Sequence, residues 1–209
     1  SDSEIVVHLF EEQGPAAFAE LDGMFAVALH TDDGFFLARD PIGIKPLYYG
    51  FKDGRGGKDG GKPATNGWPH TRTDDMASVI YFASELKSLA DTVDEVYEFP
   101  PGSYYDSHRG FVRYYTVPNL QPQAQRVDDL CQRVRTTLET AVTKRLMSDV
   151  PVGAFLSGGL DSSLIAAIAR QHVDELHTFA VGIEGAPDVA AARLVAQHID
   201  SIHHEYIYS

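Results

Sequence analysis

Cysteine is nearly absent from this sequence. Among 209 residues there is one, Cys131, so no disulfide can form within the chain, and a reducing, cytosolic compartment is the expected setting. Long apolar runs are missing too: no stretch of about 18 apolar residues occurs, which leaves no candidate for a membrane-spanning helix. The opening SDSEIVVHLFEEQG has neither the basic region nor the apolar core of a signal peptide. It has no initiator Met and starts inside a helical pattern, so the chain is expected to be an internal piece of a longer protein. Basic residues are few. Seventeen Lys and Arg against 30 Asp and Glu leave a net charge of −13, which argues against non-specific binding to nucleic acid or to anionic membranes. No lysine follows Lys144, so no Walker-type phosphate loop can lie beyond it. His70, His172, His177, His198, His203 and His204 lack metal-ligand spacing, and are expected at the surface or as satisfied core residues.

What is present is an ordinary globular composition, 44% apolar and 22% charged, enough for one or two domains. Ile5, Val6, Leu9 and Phe10 keep helical spacing up to Gly14. From there to residue 115 the period changes. MFAVALH (24–30), FFLAR (35–39), LYYGF (47–51) and VIYFAS (79–84) read as strands, and Asp32-Asp33-Gly34 predicts a hairpin between the first two. SYY (103–105) and FVRYY (111–115) predict another. Arg39, Asp40 and Gly43 are read as structural, an ion pair and a tight bend. Residues 52–78, rich in Gly, Lys and Asp, predict a long mobile loop, with Trp68 as its one anchor. The prolines and glutamines of 116–126 predict a linker. Beyond it Val127, Leu130, Cys131, Val134, Leu138, Ala141 and Val142 predict an amphipathic helix that ends at Pro151, with Cys131 on its apolar face and in the core. Strand, helix, strand, helix and strand follow, a pattern that implies a parallel sheet.

The second half carries the chemistry. In AFLSGGLDSSLIAAIARQ, two glycines stand where a parallel strand gives way to a helix, the end of such sheets at which ligands bind. Gly158 and Gly159 let backbone N–H groups approach an anion, and the helix N-terminus adds positive partial charge. Ser157, Ser162 and Ser163 can donate to phosphate oxygens. Asp161 repels a polyphosphate unless it holds a Mg²⁺ that bridges to it. A tight strand–helix turn would explain a bare glycine pair, but not this run of glycines, acid and hydroxyls together.

SGGLDSS resembles the pyrophosphate-binding loop of the ATP pyrophosphatases, and HTFAVGIEGAPDVAAARLVAQHI after it is similar to the asparagine synthetases. That resemblance implies that Phe155 and Leu156, before the loop, and Val181 and Gly182, at the next strand end, lie against adenosine. Asp188 opens the following helix, either as a functional group or as a plain N-terminal acid. SDSEIVVHLFEEQGPAAFAELDGMFAVAL, LARDPIGIKPLYY, FASELKSL and FPPGSYY resemble the later part of a class II glutamine amidotransferase domain. There Asp2 matches the carboxylate that binds the α-ammonium of glutamine; as an alternative it caps the first helix. The family's nucleophile is an N-terminal cysteine, for which the chain has no counterpart, so no catalytic residue is assigned. Ser1 aligns inside the family pattern, just before Asp2, and not at its start.

The resemblance implies a partial α+β sandwich of the N-terminal-nucleophile type over residues 1–115, a linker at 116–126, and a partial α/β, parallel doubly wound nucleotide-binding domain over 127–209. It implies glutamine-hydrolysing, ATP- and Mg²⁺-dependent synthesis of asparagine from aspartate through a β-aspartyl-AMP intermediate, with small-molecule substrates and neither nucleic acid nor membrane as partner. A homodimer is compatible with it. Two other readings stay open: a β-lactam-synthetase-like cyclase on the same two domains, and a nucleotide-binding remnant without activity.

Overall fold

The structure, a computed structural model, describes residues 3–53, 78–119 and 126–208. Ser1, Asp2, Trp68, His70, most of the 52–78 loop and the middle of the 116–126 linker lie outside the described residues. The chain is a mixed α/β protein that divides into two units, Ser1–Leu120 and Gln121–Ser209.

In the first unit, α1 (Glu4–Gln13) ends where Gly14 adopts φ 60, a left-handed turn that suits glycine. One turn of 3₁₀ helix, Gly14–Ala16, with Pro15 in its first positions, leads into the short α2 (Ala17–Glu20). Next come β1 (Ala26–Thr31), β2 (Gly34–Arg39), β3 (Tyr48–Asp53), β4 (Ser78–Ala83), β5 (Tyr97–Glu98), β6 (Ser103–Asp106) and β7 (Gly110–Arg113). They form two antiparallel sheets, ordered β1-β2-β6-β7 and β4-β3-β5. The hairpin expected at Asp32-Asp33-Gly34 is there, with Thr31 opposite Gly34. The first sheet is packed on both faces. Towards the second sheet, Leu37 meets fully buried Tyr49 and Phe99, and Phe111 packs at a tilt against both, with ring centroids 5.0 and 5.1 Å away. Towards α1 and α2, Phe36 meets Phe10 at 4.8 Å and Tyr104 meets buried Phe18 at 5.5 Å. The order is thus helix, sheet, sheet. Each buried aromatic contributes about 1.5–3 kcal/mol by removal from water.

A buried Arg–Asp pair shapes the β2–β3 connection, though the two side chains do not bond each other. Arg39 donates from Nε to the Lys45 carbonyl (2.7 Å), from Nη2 to that of Gly43 (2.9 Å), and from Nη1 to the Phe99 carbonyl (2.6 Å) and to Glu98 Oε1 (2.8 Å). Asp40 accepts from the backbone N–H groups of Ile42, Ile44 and Lys45 at 3.3, 2.9 and 2.9 Å. Gly43 completes the bend at φ 71. Burial pushes the Asp40 carboxyl up, but the N–H groups of Lys45, Ile44, Ile42 and Gly43 together outweigh it and hold its pKa below 3.8. A carboxyl depressed on folding stabilises the native state above its unfolded pKa, and that contribution is lost as pH falls through the lower, folded value. Urea midpoints of the first unit should therefore drop below about pH 4, and less so in Asp40→Asn. Parallel midpoint-versus-pH curves for the two proteins would contradict this role.

In the second unit, α3 (Val127–Thr143) is followed by β8 (Gly153–Phe155), α4 (Leu160–Arg170), β9 (His177–Ile183), α5 (Pro187–His198) and β10 (Ile202–Tyr208). The three strands form a parallel sheet in the order β10-β9-β8. Leu156, Leu176 and Ala180 are buried with Ala166, Ile168 and Ala169 of α4 and Ala192 and Ala196 of α5. Alternate residues on the opposite sheet face, Phe155, Phe179, Val181, Ile183, Tyr206 and Tyr208, are exposed.

Three expectations about α3 are corrected. Cys131 is exposed, not in the core. Only the C-terminal end of the apolar stripe is packed, through Leu138 and Val142, while Val127, Leu130 and Val134 face solvent. The helix also stops at Thr143, well before Pro151. Bonds from Arg145 to Val142 and from Leu146 to Thr143 tighten the chain out of the α pattern there, and Leu146 drops onto the core.

Candidate functional site: the turn from β8 to α4

β8 is three residues long and pairs in register with β9, Phe155 opposite Phe179. One further bond, from Leu156 N–H to the Phe179 carbonyl at 2.8 Å, ties the chain to the sheet before it turns. Leu156 is 1% exposed, so its side chain belongs to the core beneath the turn, whereas Phe155, at 84%, stands on the open sheet face. Val181 shares that face, and Gly182 follows it on β9.

The two glycines do different things. Gly158 has φ 75, and a Cβ there would fall 2.5 Å from the Ala192 nitrogen, so its missing side chain makes room for α5. At Gly159 a Cβ would meet only Ser157 Oγ at 3.5 Å, so this position is open. Gly159 is also the N-cap of α4, without a side-chain cap. The first N–H groups of α4 have no acceptor within the helix. An uncapped helix start with an open glycine is where an anion gains most from the helix dipole.

The hydroxyls ring this opening. Ser157 Oγ and Ser162 Oγ lie 2.9 Å apart, Ser162 Oγ accepts from Ser157 N–H at 3.3 Å, and Ser163 Oγ donates to the Gly159 carbonyl at 2.6 Å. Asp161 is exposed in the first turn of α4, and its carboxylate has no partner among the described residues. No lysine or arginine lies between Ser157 and Ile168, so within this segment the positive field comes from backbone dipoles. Nearby Arg193 is spoken for: its Nε and Nη2 donate to Glu205 Oε1 and Oε2 at 2.9 and 2.7 Å, and that contact holds the Glu205 carboxyl below the usual range.

Ser157, Gly158, Gly159, Asp161, Ser162 and Ser163 thus sit together at one strand–helix turn. Phe155 and Val181 stand on the open sheet face, whereas Gly182 backs onto α5 and Leu156 lies in the core. Asp2 lies outside the described residues. Sequence reasoning passed over Phe179, which is exposed next to Phe155 (6.4 Å between centroids) and stacks on His204 at 4.9 Å. The period-2 alternation of HTFAVGI was the signal that could have found it. Reasoning also passed over Ala191 and Ala192, which no motif marks. No group of three or more His, Cys, Asp or Glu suited to a metal occurs among the described residues, nor does any helix long and apolar enough to cross a membrane.

Comparison with known proteins adds an independent line. The family model for asparagine synthase matches residues 133–209, and that for a glutamine amidotransferase domain matches residues 1–57. The whole chain aligns with asparagine synthetase [glutamine-hydrolyzing] 2 of Arabidopsis thaliana at 42% identity, covering 34% of that protein. It aligns equally fully with asparagine synthetase [glutamine-hydrolyzing] of Zea mays, at 40% identity over 34% of its length. A probable asparagine synthetase [glutamine-hydrolyzing] of Schizosaccharomyces pombe matches at 39% identity over 38% of its length. The chain therefore spans about a third of the length of the curated relatives it matches. From end to end it is similar to glutamine-hydrolysing asparagine synthetases, with residues 1–57 like a glutamine amidotransferase domain and residues 133–209 like an asparagine synthase domain.

Proposed function

We propose that the chain is part of an ATP-dependent, glutamine-hydrolysing asparagine synthetase, and that the β8–α4 turn is its pyrophosphate site. The observation that carries this reading is the uncapped start of α4 at Gly159, open and ringed by Ser157, Ser162 and Ser163. In the same reading, residues 1–115 are the later part of a class II amidotransferase domain of the N-terminal-nucleophile type. The helix–sheet–sheet layering supports that. Residues 116–126 are the linker, and 127–209 begin a doubly wound nucleotide-binding domain. The parallel β10-β9-β8 sheet with its crossover helices α4 and α5 supports a parallel α/β nucleotide-binding domain; both helices cover one face, so the second helical layer of a doubly wound sheet is not among the described residues.

The chemistry follows from the problem the reaction poses. The β-carboxylate of aspartate is a poor acyl donor, and joining it to AMP turns it into a mixed anhydride that ammonia can attack. Pyrophosphate leaves in the first step, and negative charge grows on it as the bond breaks. Backbone N–H groups in the first turn of α4 are fixed to meet that charge, and the hydroxyls of Ser157, Ser162 and Ser163 join them by rotating away from their present partners. Phe155 and Val181 offer apolar surface to the adenosine, while Leu156 and Gly182 contribute through their backbone. Asp161 suits Mg²⁺ because it presents an unpartnered carboxylate at the phosphate end of the site. The ion, held by Asp161, would neutralise phosphate charge there. Asp2 would hold the α-ammonium of glutamine by a charge-assisted bond. A cytoplasmic setting and a homodimer belong to the same proposal.

Calorimetry on the 209-residue chain should show ATP–Mg²⁺ binding that weakens about tenfold in Ser157→Ala and at least as much in Asp161→Ala. Equal affinity in all three proteins would refute the loop assignment. The reaction itself is tested on the full-length protein supplied with aspartate, ATP and ammonia. Asparagine and pyrophosphate are expected. Absence of asparagine would favour the cyclase reading.

A further inference from the structure

The shape of the glycine turn is set by a helix that takes no part in it. A Cβ on Gly158 would lie 2.5 Å from Ala191 Cβ and 2.6 Å from the Ala191 carbonyl carbon, as well as against the Ala192 nitrogen. A Cβ on Gly182 would lie 2.5 Å from Val189 Cγ2. One turn of α5 therefore backs both the loop and the end of β9. That turn cannot retreat. Val189, Ala192 and Ala196 are buried, and Arg193 is bound to Glu205 on β10 by two hydrogen bonds. Any bulk added at position 191 must be relieved in the loop, by moving Gly158 out of its left-handed conformation (φ 75).

We propose that Ala191 is a positioning residue of the pyrophosphate site. Its small side chain leaves Gly158 the room to stay left-handed, and so keeps Gly159 and the start of α4 presented to the anion. The proposal rests on the reading of the loop given above, and it assigns a task to a residue that does not touch the ligand. Because the contact is mutual, filling the loop should also quiet the first turns of α5.

The test uses the 209-residue chain and pyrophosphate with Mg²⁺ as the probe. Ala191→Gly, Ala191→Ser and Ala191→Val are compared with Gln197→Ala, an exposed position at the far end of the same helix. Calorimetry should show affinity falling with side-chain volume, about tenfold or more for Val, and within about twofold of the parent for Gly, Ser and Gln197→Ala. Amide resonances of Ser157, Gly158 and Gly159 should move in Ala191→Val alone among folded variants. In the parent, pyrophosphate should slow amide exchange at Ala190, Ala191 and Ala192, a readout that needs no variant to fold. A merely structural role would lower the melting midpoint of Ala191→Val without changing the affinity of the folded fraction. Parental affinity and unmoved loop amides in Ala191→Val, with binding weakened about tenfold in Ser157→Ala, would overturn this proposal and leave the loop reading standing. Failure of the parent to bind pyrophosphate would overturn both.

Discussion

Gly158→Ala is expected to destabilise the Gln121–Ser209 unit by about 2–5 kcal/mol and to abolish its binding of pyrophosphate. Two independent terms add. An L-residue held at φ 75 costs about 1–2 kcal/mol relative to glycine. The new methyl would also stand 2.5 Å from the Ala192 nitrogen and 2.6 Å from the Ala191 carbonyl carbon. These are backbone atoms of a helix and cannot swing aside as a side-chain tip would, so overpacking adds about 1–3 kcal/mol. Gly159→Ala is the control, since its Cβ meets only Ser157 Oγ at 3.5 Å and no left-handed φ is involved. It should fold like the parent and lose affinity only. Urea titration read by amide exchange at Leu176 and Ala180, buried in this unit, distinguishes the cases. A Gly158→Ala midpoint equal to that of Gly159→Ala would show that the turn tolerates a side chain there.

Arg39→Met should destabilise the Ser1–Leu120 unit by about 3–5 kcal/mol. Methionine keeps the apolar stem and loses every donor. Three carbonyls, those of Gly43, Lys45 and Phe99, then lose the guanidinium that bonds them; the buried Phe99 acceptor costs about 1–3 kcal/mol, and the part-buried bonds to Gly43 and Lys45 add about 1 kcal/mol each. Glu98 matters less, because its side chain is 65% exposed and recovers water. Glu98→Gln should accordingly change stability by under about 1 kcal/mol. Thermal unfolding of the two variants side by side is the measurement. Comparable losses would mean that the ion pair, not the carbonyl cluster, holds the bend.

Those two residues show where the sequence was legible. Arg39, Asp40 and Gly43 could be read as a bend, because a charged pair and a glycine after an apolar strand have few other uses. Their partners could not be read: Phe99 and Glu98 are about sixty positions away, and no local pattern announces that a guanidinium will bond carbonyls. The β1–β2 hairpin was legible from Asp32-Asp33-Gly34 because turn chemistry is local. β5, two residues long, was not, since Tyr97 and Glu98 are a strand only by virtue of lying beside Tyr49 and Tyr48. Helical spacing in α3 was read correctly, and its burial was not. Periodicity marks a face able to pack, and only Leu138 and Val142 found neighbours. At the candidate site, serines, glycines and acid could be grouped from their spacing, but the separate tasks of Gly158 and Gly159 depend on where α5 lies, which no spacing within SGGLDSS encodes.

The sheet of the second unit has a practical consequence. β10, β9 and β8 carry both crossover helices on one face, and the other offers Phe155, Phe179, Val181, Ile183, Tyr206 and Tyr208 to water. A surface of that kind invites copies to adhere. What opposes it is the chain's net charge of −13, a repulsion that fades near the isoelectric point of about 5.0 and under high salt. Colloidal behaviour should therefore follow acidity and ionic strength more closely than it follows folding. A purification or crystallisation buffer chosen near pH 5 would remove the one force that keeps these faces apart.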